Sequence, residues 1–223
     1  MKDVVSLKHA GIFQEGTRIL QHVNLSVSQT EYVYLVGKTG SGKSSLMRTL
    51  WGDLPLVEGE GYVADIPLHH LAASNIPVLR RRVGLVFQDF QLFQQWTVDE
   101  NLRFVLDATG TRDKAEQDKI IEEVCSDVQL SDQRHRPVHR LSGGEQQRAV
   151  IGRAVVNKPQ IILADEPTGN LDPETADSIL QLMRKLAIEY RTAILMATHN
   201  IQMIDRFPGR VYRVADGQVR EED

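Results

Sequence analysis

Apolar residues in this chain come in short unbroken blocks separated by helix-period stretches. Four blocks are apolar at nearly every position: Tyr32–Val36, Val83–Phe87, residues 161–164 and residues 193–197. Each is too short for a stable helix and rich in β-branched or bulky side chains, so each reads as a strand buried on both faces. Helical patterns lie between them. The clearest opens at Asp172-Pro173, a capping residue before a proline at the first helical position, and continues through Ala176, Ile179, Leu180, Met183 and Ala187. Strands alternating with helices predict a parallel sheet covered on both faces. The two ends differ. Residues 4–7, 23–27, 210–214 and 218–220 read as antiparallel strands, with Asp216-Gly217 as a hairpin turn between the last two. The middle, residues 91 to 140, is polar and helix-like, with Ile120, Ile121, Val124 and Val128 spaced along 115–128. It predicts a helical insert. Arg80-Arg81-Arg82 reads as a solvated turn, with contact to a partner or an anionic lipid as the alternative.

Bulk composition narrows this picture without redirecting it. The 223 residues are 41% hydrophobic and 25% charged, with a net charge of −4. That is the balance of one globular unit with or without an inserted part. No excess of positive charge points to a nucleic-acid surface, so no nucleic-acid partner is expected. The single cysteine, Cys125, allows no internal disulfide and fits a reducing compartment. The start, MKDVVSLKHAG, lacks the apolar core of a signal peptide, and no run approaches the roughly 18 apolar residues of a membrane span. Work at a membrane would need another chain to hold this one there.

Three motifs carry chemistry. Gly37-Lys38-Thr39-Gly40-Ser41-Gly42-Lys43-Ser44 matches G-x-x-x-x-G-K-S between the strand Tyr32–Val36 and a helical pattern over 45–50. Its glycines let backbone N–H groups turn inward around phosphate oxygens. Lys43 can neutralise the β- and γ-phosphates, and Ser44 can ligate Mg²⁺. Next, the apolar run 161–164 ends in Asp165-Glu166. Strand alternation would aim the two carboxylates apart, Asp165 toward a metal shell and Glu166 toward an attacking water. Alone, such a pair is an ordinary loop acid and helix cap; the upstream phosphate loop argues for the catalytic reading. Last, Leu141-Ser142-Gly143-Gly144-Glu145-Gln146-Gln147-Arg148 places Ser142 and Glu145 at capping-box spacing, with two glycines leaving the backbone open. By itself this is a well-capped helix. A second anion-binding helix start makes sense if two chains share a nucleotide.

The octapeptide LSGGEQQR resembles the signature motif of the ABC ATPases, and further landmarks of that family fall in order along the whole chain. Gln88, after the strand Val83–Phe87, resembles the glutamine that reaches Mg²⁺ and the γ-phosphate. Asn170-Leu171-Asp172 resembles the D-loop. His199 resembles the switch histidine, although a lone histidine is more often a surface or core residue. Phe13 stands where the family places an aromatic that stacks on adenine, usually tyrosine; plain packing is its other reading. The resemblance implies a P-loop NTPase (RecA-like) α/β core with a parallel sheet, an antiparallel β subdomain and an inserted helical subdomain. It divides the chain into an ATP-binding core of residues 1–90 and 155–223 and a helical signature part of residues 91–154. It implies ATP and Mg²⁺ as ligands. Glu166, His199, Gln88 and Lys43 are then catalytic. Ser44, Gln88 and Asp165 would hold the metal. Nucleotide contacts come from Phe13, Gly37 through Ser45, Gln88, Ser142, Gly143, Gly144, Glu145 and His199. It further implies a head-to-tail homodimer with ATP at the interface.

Local strings narrow the branch. Phe87-Gln88-Asp89-Phe90-Gln91-Leu92, Thr97-Val98-Asp99-Glu100-Asn101 and the run from Ala164 to Asp172 resemble the branch containing FtsE, LolD and MacB. The phosphate loop, Trp51-Gly52-Asp53-Leu54-Pro55 and Met196-Ala197-Thr198-His199-Asn200 are most similar to the FtsE family of Bacteroidetes-type bacteria. That likeness implies an FtsX-like integral membrane partner, a peripheral position on the cytoplasmic face of the membrane and a role in cell wall hydrolysis at division. Lipoprotein release or efflux by a LolD- or MacB-like complex stays open, as does a soluble ABC ATPase acting on nucleic acid. Gly152, where the family usually has alanine, reads either as a close-packing site or as drift.

Overall fold

The computed structural model describes residues 2–222. In chain order the elements are β1 (Asp3–Gln14), β2 (Thr17–Ser28), β3 (Tyr32–Val36), α1 (Lys43–Leu50), β4 (Glu58–Val63), β5 (Ile66–Pro67), α2 (Ile76–Arg82), β6 (Val83–Phe87), α3 (Val98–Thr109), α4 (Lys114–Asp127), α5 (Gly143–Val155), β7 (Ile161–Asp165), α6 (Pro173–Glu189), β8 (Ala193–Thr198), α7 (Gln202–Arg206), β9 (Arg210–Ala215) and β10 (Gln218–Glu222). One 3₁₀ turn precedes α2, and two separate α4 from α5.

All four apolar blocks lie in one six-stranded sheet of order β10-β9-β3-β8-β7-β6, parallel except for the edge hairpin β9–β10. Period-two alternation sorts their side chains into two cores. Tyr34, Val36, Val86, Ile162, Ala164, Ile194 and Met196 face the layer of α3 through α6. Val33, Leu35, Leu163, Leu195 and Ala197 face α1 and the second sheet. Burial on both faces is why these strands carry almost no polar residue. The second sheet, β2-β1-β4-β5, is antiparallel. It tucks Val5, Leu7, Ile12, Leu20 and Val27 against that same face of the parallel sheet. The helical layer between β6 and α5 contains no strand of either sheet, matching the expected insert.

The structure corrects several expectations. β1 and β2 run to 12 residues each, far beyond 4–7 and 23–27. Register shifts in their pairing, with His9 and His22 in left-handed backbone, break the alternation that marks a strand in the sequence. Arg80, Arg81 and Arg82 form the last turn of α2 rather than a loop; cations suit the negative end of a helix dipole. The apolar run expected to stop at Ala164 continues as strand through Asp165.

Two glycines fix how closely the layers approach. A Cβ on Gly84 in β6 would lie 2.5 Å from the Ala154 carbonyl oxygen on α5. A Cβ on Gly152 would meet Val124 Cγ1 at 3.3 Å, a side-chain tip rather than backbone. Gly152 is therefore a close-packing position that tolerates a methyl. Gly84→Ala should destabilise by about 1–3 kcal/mol through overpacking against backbone. In Gly152→Ala a helix-propensity gain of about 0.5–1 kcal/mol offsets the crowding and leaves stability nearly unchanged. Urea midpoints of the two variants check the contrast; equal losses would refute it.

Candidate functional site

The carboxyl ends of β3, β6, β7 and β8 carry one cleft of about 1060 Å³. Ligand sites in open parallel sheets form at such strand ends. The loop after β3 turns into α1 through Gly40 (φ 79°) and Gly42 (φ 106°), both left-handed. Gly42 also has no room for a side chain, since a Cβ would lie 2.8 Å from Ile19 Cγ2. Helices α3, α4, α5 and α6 each close their first turn with a side chain, from Thr97, Asp113, Ser142 and Asp172. Helix α1 has no such cap. Its first N–H groups open toward the cleft, which suits an anion.

Lys43 is almost fully buried, and its Nζ donates to the carbonyls of Gly37 (2.7 Å) and Lys38 (3.1 Å). The same ammonium lies 4.0 Å from Glu166 Oε1. Glu166 Oε1 is 2.8 Å from His199 Nδ1, which joins the ends of β7 and β8. Alternation along a strand does not orient Glu166, contrary to the sequence expectation. Its backbone is left-handed (φ 47°) while its N–H bonds the Ala197 carbonyl, so the chain turns and both Asp165 and Glu166 line the cleft. Burial pushes the Asp165 carboxyl above the ordinary carboxylate range; the Ser44 hydroxyl bond and Lys43 pull it back, and Glu166 adds to the rise. Gln88 and Asn170 hold each other: Gln88 Nε2 donates to Asn170 Oδ1 (3.1 Å), and Asn170 Nδ2 donates to the Gln88 carbonyl (2.9 Å). Gly169 packs on that pair, a Cβ there lying 2.9 Å from Gln88 Nε2. Ser45 donates to Gln14 Oε1 at 2.8 Å, tying α1 to β1.

The structure thus brings Thr39, Gly40, Gly42, Lys43, Ser44 and Ser45 together with Gln88, Asp165, Glu166 and His199. Gly37, Lys38 and Ser41 of the same loop do not line the cleft, and two further groups of expected contacts also lie outside it. Ser142, Gly143, Gly144 and Glu145 begin α5 away from it, with Ser142 and Gly143 exposed. There Ser142 Oγ accepts from the Glu145 N–H at 3.3 Å, while Glu145 Oε2 accepts from the Ser142 N–H and hydroxyl at 2.8 Å each. These bonds hold the Glu145 carboxyl below its usual value. Phe13 sits half-buried at the end of β1, outside the lining, with the Arg18 guanidinium 5.2 Å from its ring centroid. Sequence reasoning missed Gln14 and the wall residues Thr17 and Ile19. Only their closeness to Phe13 signalled them, because the hairpin that carries them has no motif.

Known proteins resemble this chain over most of its length. The family model described as ABC transporter matches residues 20–169. The chain is 42% identical over 204 residues to the cell division ATP-binding protein FtsE of Mycobacterium tuberculosis, covering 91% of this chain and 88% of that protein. It is 38% identical over 219 residues to FtsE of Streptococcus pneumoniae, covering 98% and 92%. Among solved structures it is similar to the ATP-binding cassette MJ0796, a dimer in a post-hydrolysis state bound to ADP and Pi, with TM-score 0.85, 34% identity and 98% of both chains covered.

The raised Asp165 carboxyl has a testable cost. A carboxylate held above its unfolded pKa destabilises the nucleotide-free fold at high pH. The cost is fully present above the folded pKa, falls through the window down to the ordinary carboxylate value, and is gone below it. Asp165→Asn should therefore raise the thermal midpoint near neutral pH by a few degrees, a domain of this size shifting about 2–4 °C per kcal/mol. The difference from wild type should shrink on acidification. A midpoint lowered at neutral pH would contradict the desolvation argument.

Proposed function

Because the chain belongs to the ABC transporter family and is one of its ATP-hydrolysing cassettes, we propose that it drives a cell-division complex through a membrane partner of FtsX type. The observation that carries the chemistry is the convergence of Lys43, Asp165, Glu166, Gln88 and His199 on one cleft beside an uncapped helix start. In this reading the backbone of residues 37–44 and the α1 N-terminus hold the phosphates, and Lys43 exchanges its two carbonyl partners for phosphate oxygens. Glu166 accepts a proton from the attacking water at a carboxylate oxygen, and His199 fixes the orientation of that carboxylate. Ser44, bonded to the desolvated Asp165 carboxylate, and the Gln88 amide would offer a cation oxygen donors only, which fits a hard ion. Magnesium held there would supply positive charge against the phosphate oxygens.

The signature residues Ser142, Gly143, Gly144 and Glu145 serve the nucleotide of a second copy, so the working unit is a homodimer with two composite sites. Their position outside this chain's own cleft, with Ser142 and Gly143 exposed, supports that assignment, as does the dimeric state of MJ0796. Residues 1–90 and 155–223 then act as the ATP-binding core, with 91–154 moving against it. The FtsE relatives support the division role. No helix among the described residues is long and apolar enough to cross a membrane. Attachment on the cytoplasmic face therefore rests on a partner. An exposed aromatic cluster just past Gln88 offers a surface for one. Phe93, Trp96 and Phe104 are 43%, 38% and 47% exposed, with ring centroids 4.3–5.8 Å apart.

Glu166→Gln should lower ATP turnover by about 10²–10⁴-fold while retaining ATP binding and accumulating an ATP-dependent dimer in light scattering. Full turnover in that variant would remove Glu166 from the chemistry. Lys43→Ala should weaken ATP binding by roughly tenfold or more in calorimetry. Trp96→Ala should reduce copurification with detergent-solubilised membrane protein while the isolated chain hydrolyses ATP as before. Undiminished copurification would move the docking surface elsewhere.

A further inference from the structure

Phe13 and Arg18 are cross-strand partners on β1 and β2, on either side of the turn at Glu15-Gly16. The Arg18 guanidinium lies over the Phe13 ring, 5.2 Å from its centroid. Arg18 Nη2 is also bonded to Glu58 Oε1 at 2.6 Å, at the start of β4. The floor beneath is Gly11, where a Cβ would lie 2.6 Å from Glu58 Oε2 and 3.0 Å from Phe13 Cε2. Ring, guanidinium and carboxylate therefore form one compact group at the rim of the cleft. Neighbours Gln14, Thr17 and Ile19 line the cleft wall, while Phe13 and Arg18 do not.

We propose that Arg18 is a latch on the base site: its guanidinium covers the Phe13 ring face that a purine would use, so ATP must displace it to stack there. The inference rests on the reading of Phe13 as the base-stacking residue. Arginine is suited to this competition because its flat cation takes the same π-face as an aromatic base. Glu58 gives the displaced guanidinium somewhere to stay, which lets the latch open without stranding a charge. The consequence is a base-dependent penalty on binding that leaves the phosphate subsite untouched. Arg18 is in this sense a specificity-determining residue that acts before chemistry.

The test compares MgATP with inorganic tripolyphosphate, which has no base, by calorimetry on the full chain. Arg18→Ala should tighten MgATP by roughly two- to fivefold, the scale of an exposed cation–π contact, and leave tripolyphosphate affinity unchanged. Phe13→Ala should weaken MgATP, and adding Arg18→Ala to it should bring no gain. Unchanged or weaker MgATP binding in Arg18→Ala would overturn the latch, the weaker result meaning that the guanidinium stacks on the base itself. Equal tightening of tripolyphosphate would overturn it too, since the effect would then not depend on the base. If Phe13→Ala leaves MgATP affinity unaltered, the base-stacking reading of Phe13 falls, and the latch falls with it. Retained tripolyphosphate binding in every variant shows that the phosphate loop is still folded.

Discussion

The Lys43 ammonium, only 6% exposed, sits where an apolar parallel sheet meets its loops. Burying such a charge without partners costs several kcal/mol, so the surrounding chain must supply acceptors. It does so with backbone: the Gly37 and Lys38 carbonyls turn back onto Nζ. That turn requires Gly37 to stay bare, because any Cβ there would collide with the Val214 carbonyl of β9 and with Ser41 Oγ. The same turn leaves α1 without a capping side chain. A cation and a row of N–H donors thus share one opening, next to the carboxylates of Asp165 and Glu166. Such a site is electrostatically unfinished in the chain alone. Its Asp165 carboxyl is pushed up by burial and its Ser41 hydroxyl is left without a partner. These are costs that a triphosphate with a cation would offset.

Around that opening, polar contacts add to the apolar packing that β6, β7 and α5 share. Gln88 and Asn170 bridge the ends of β6 and β7 by two reciprocal bonds. Arg153 of α5 donates to the carbonyls of Phe90 and Gln91, immediately after Gln88, where both residues adopt left-handed backbone. Gln147, fully buried one turn into α5, donates to the Pro167 carbonyl at 2.6 Å, just past Glu166. Helix α5 therefore holds the segments after both Gln88 and Glu166. A change at Glu166 has a short, hydrogen-bonded route to the first turns of α5, and one at Gln88 has such a route to its last turn. Polar fastenings can be exchanged one at a time, whereas a close-packed apolar interface resists partial movement. This division suits a rigid sheet that carries the chemistry and a helical layer that responds to it.

Features whose local physics shows in residue order were legible in the sequence. The four buried strands announce themselves because both faces are covered. The phosphate loop does so because glycine spacing and a following lysine have one common use. The start of α6 was legible because Asp172 and Pro173 do a cap's work within four residues, and Asp172 accepts from the Thr175 N–H as that reading requires. Features made by distant residues were hidden. β1 and β2 lost their alternation to bulges that only their pairing explains. The left-handed turn at Glu166 follows from its bond to Ala197 on the neighbouring strand. The place of Phe13 beneath Arg18 depends on hairpin register, which no motif encodes. The capping box of Thr97 and Glu100 was in plain view by spacing and went unread inside a family string.

The glycine pair at the start of α5 separates internal packing from an external demand. A Cβ on Gly144 would meet Thr175 Cγ2 at 2.8 Å, so the contact with α6 is sufficient reason for that glycine. A Cβ on Gly143 would find only Leu171 Cδ2, at an ordinary 3.6 Å, and its φ is not left-handed. Nothing among the described residues explains why Gly143 lacks a side chain, and glycine loses more conformational freedom on folding than any other residue. The helix offsets that loss locally with a complete capping box between Ser142 and Glu145. An exposed helix start, well capped yet kept bare at one position, is what close approach by an anionic group from outside requires. In the proposed dimer that group is the phosphate tail held by the partner's loop. Gly143 is then a contact residue rather than a folding residue, and the penalty at this position serves the assembly rather than the subunit.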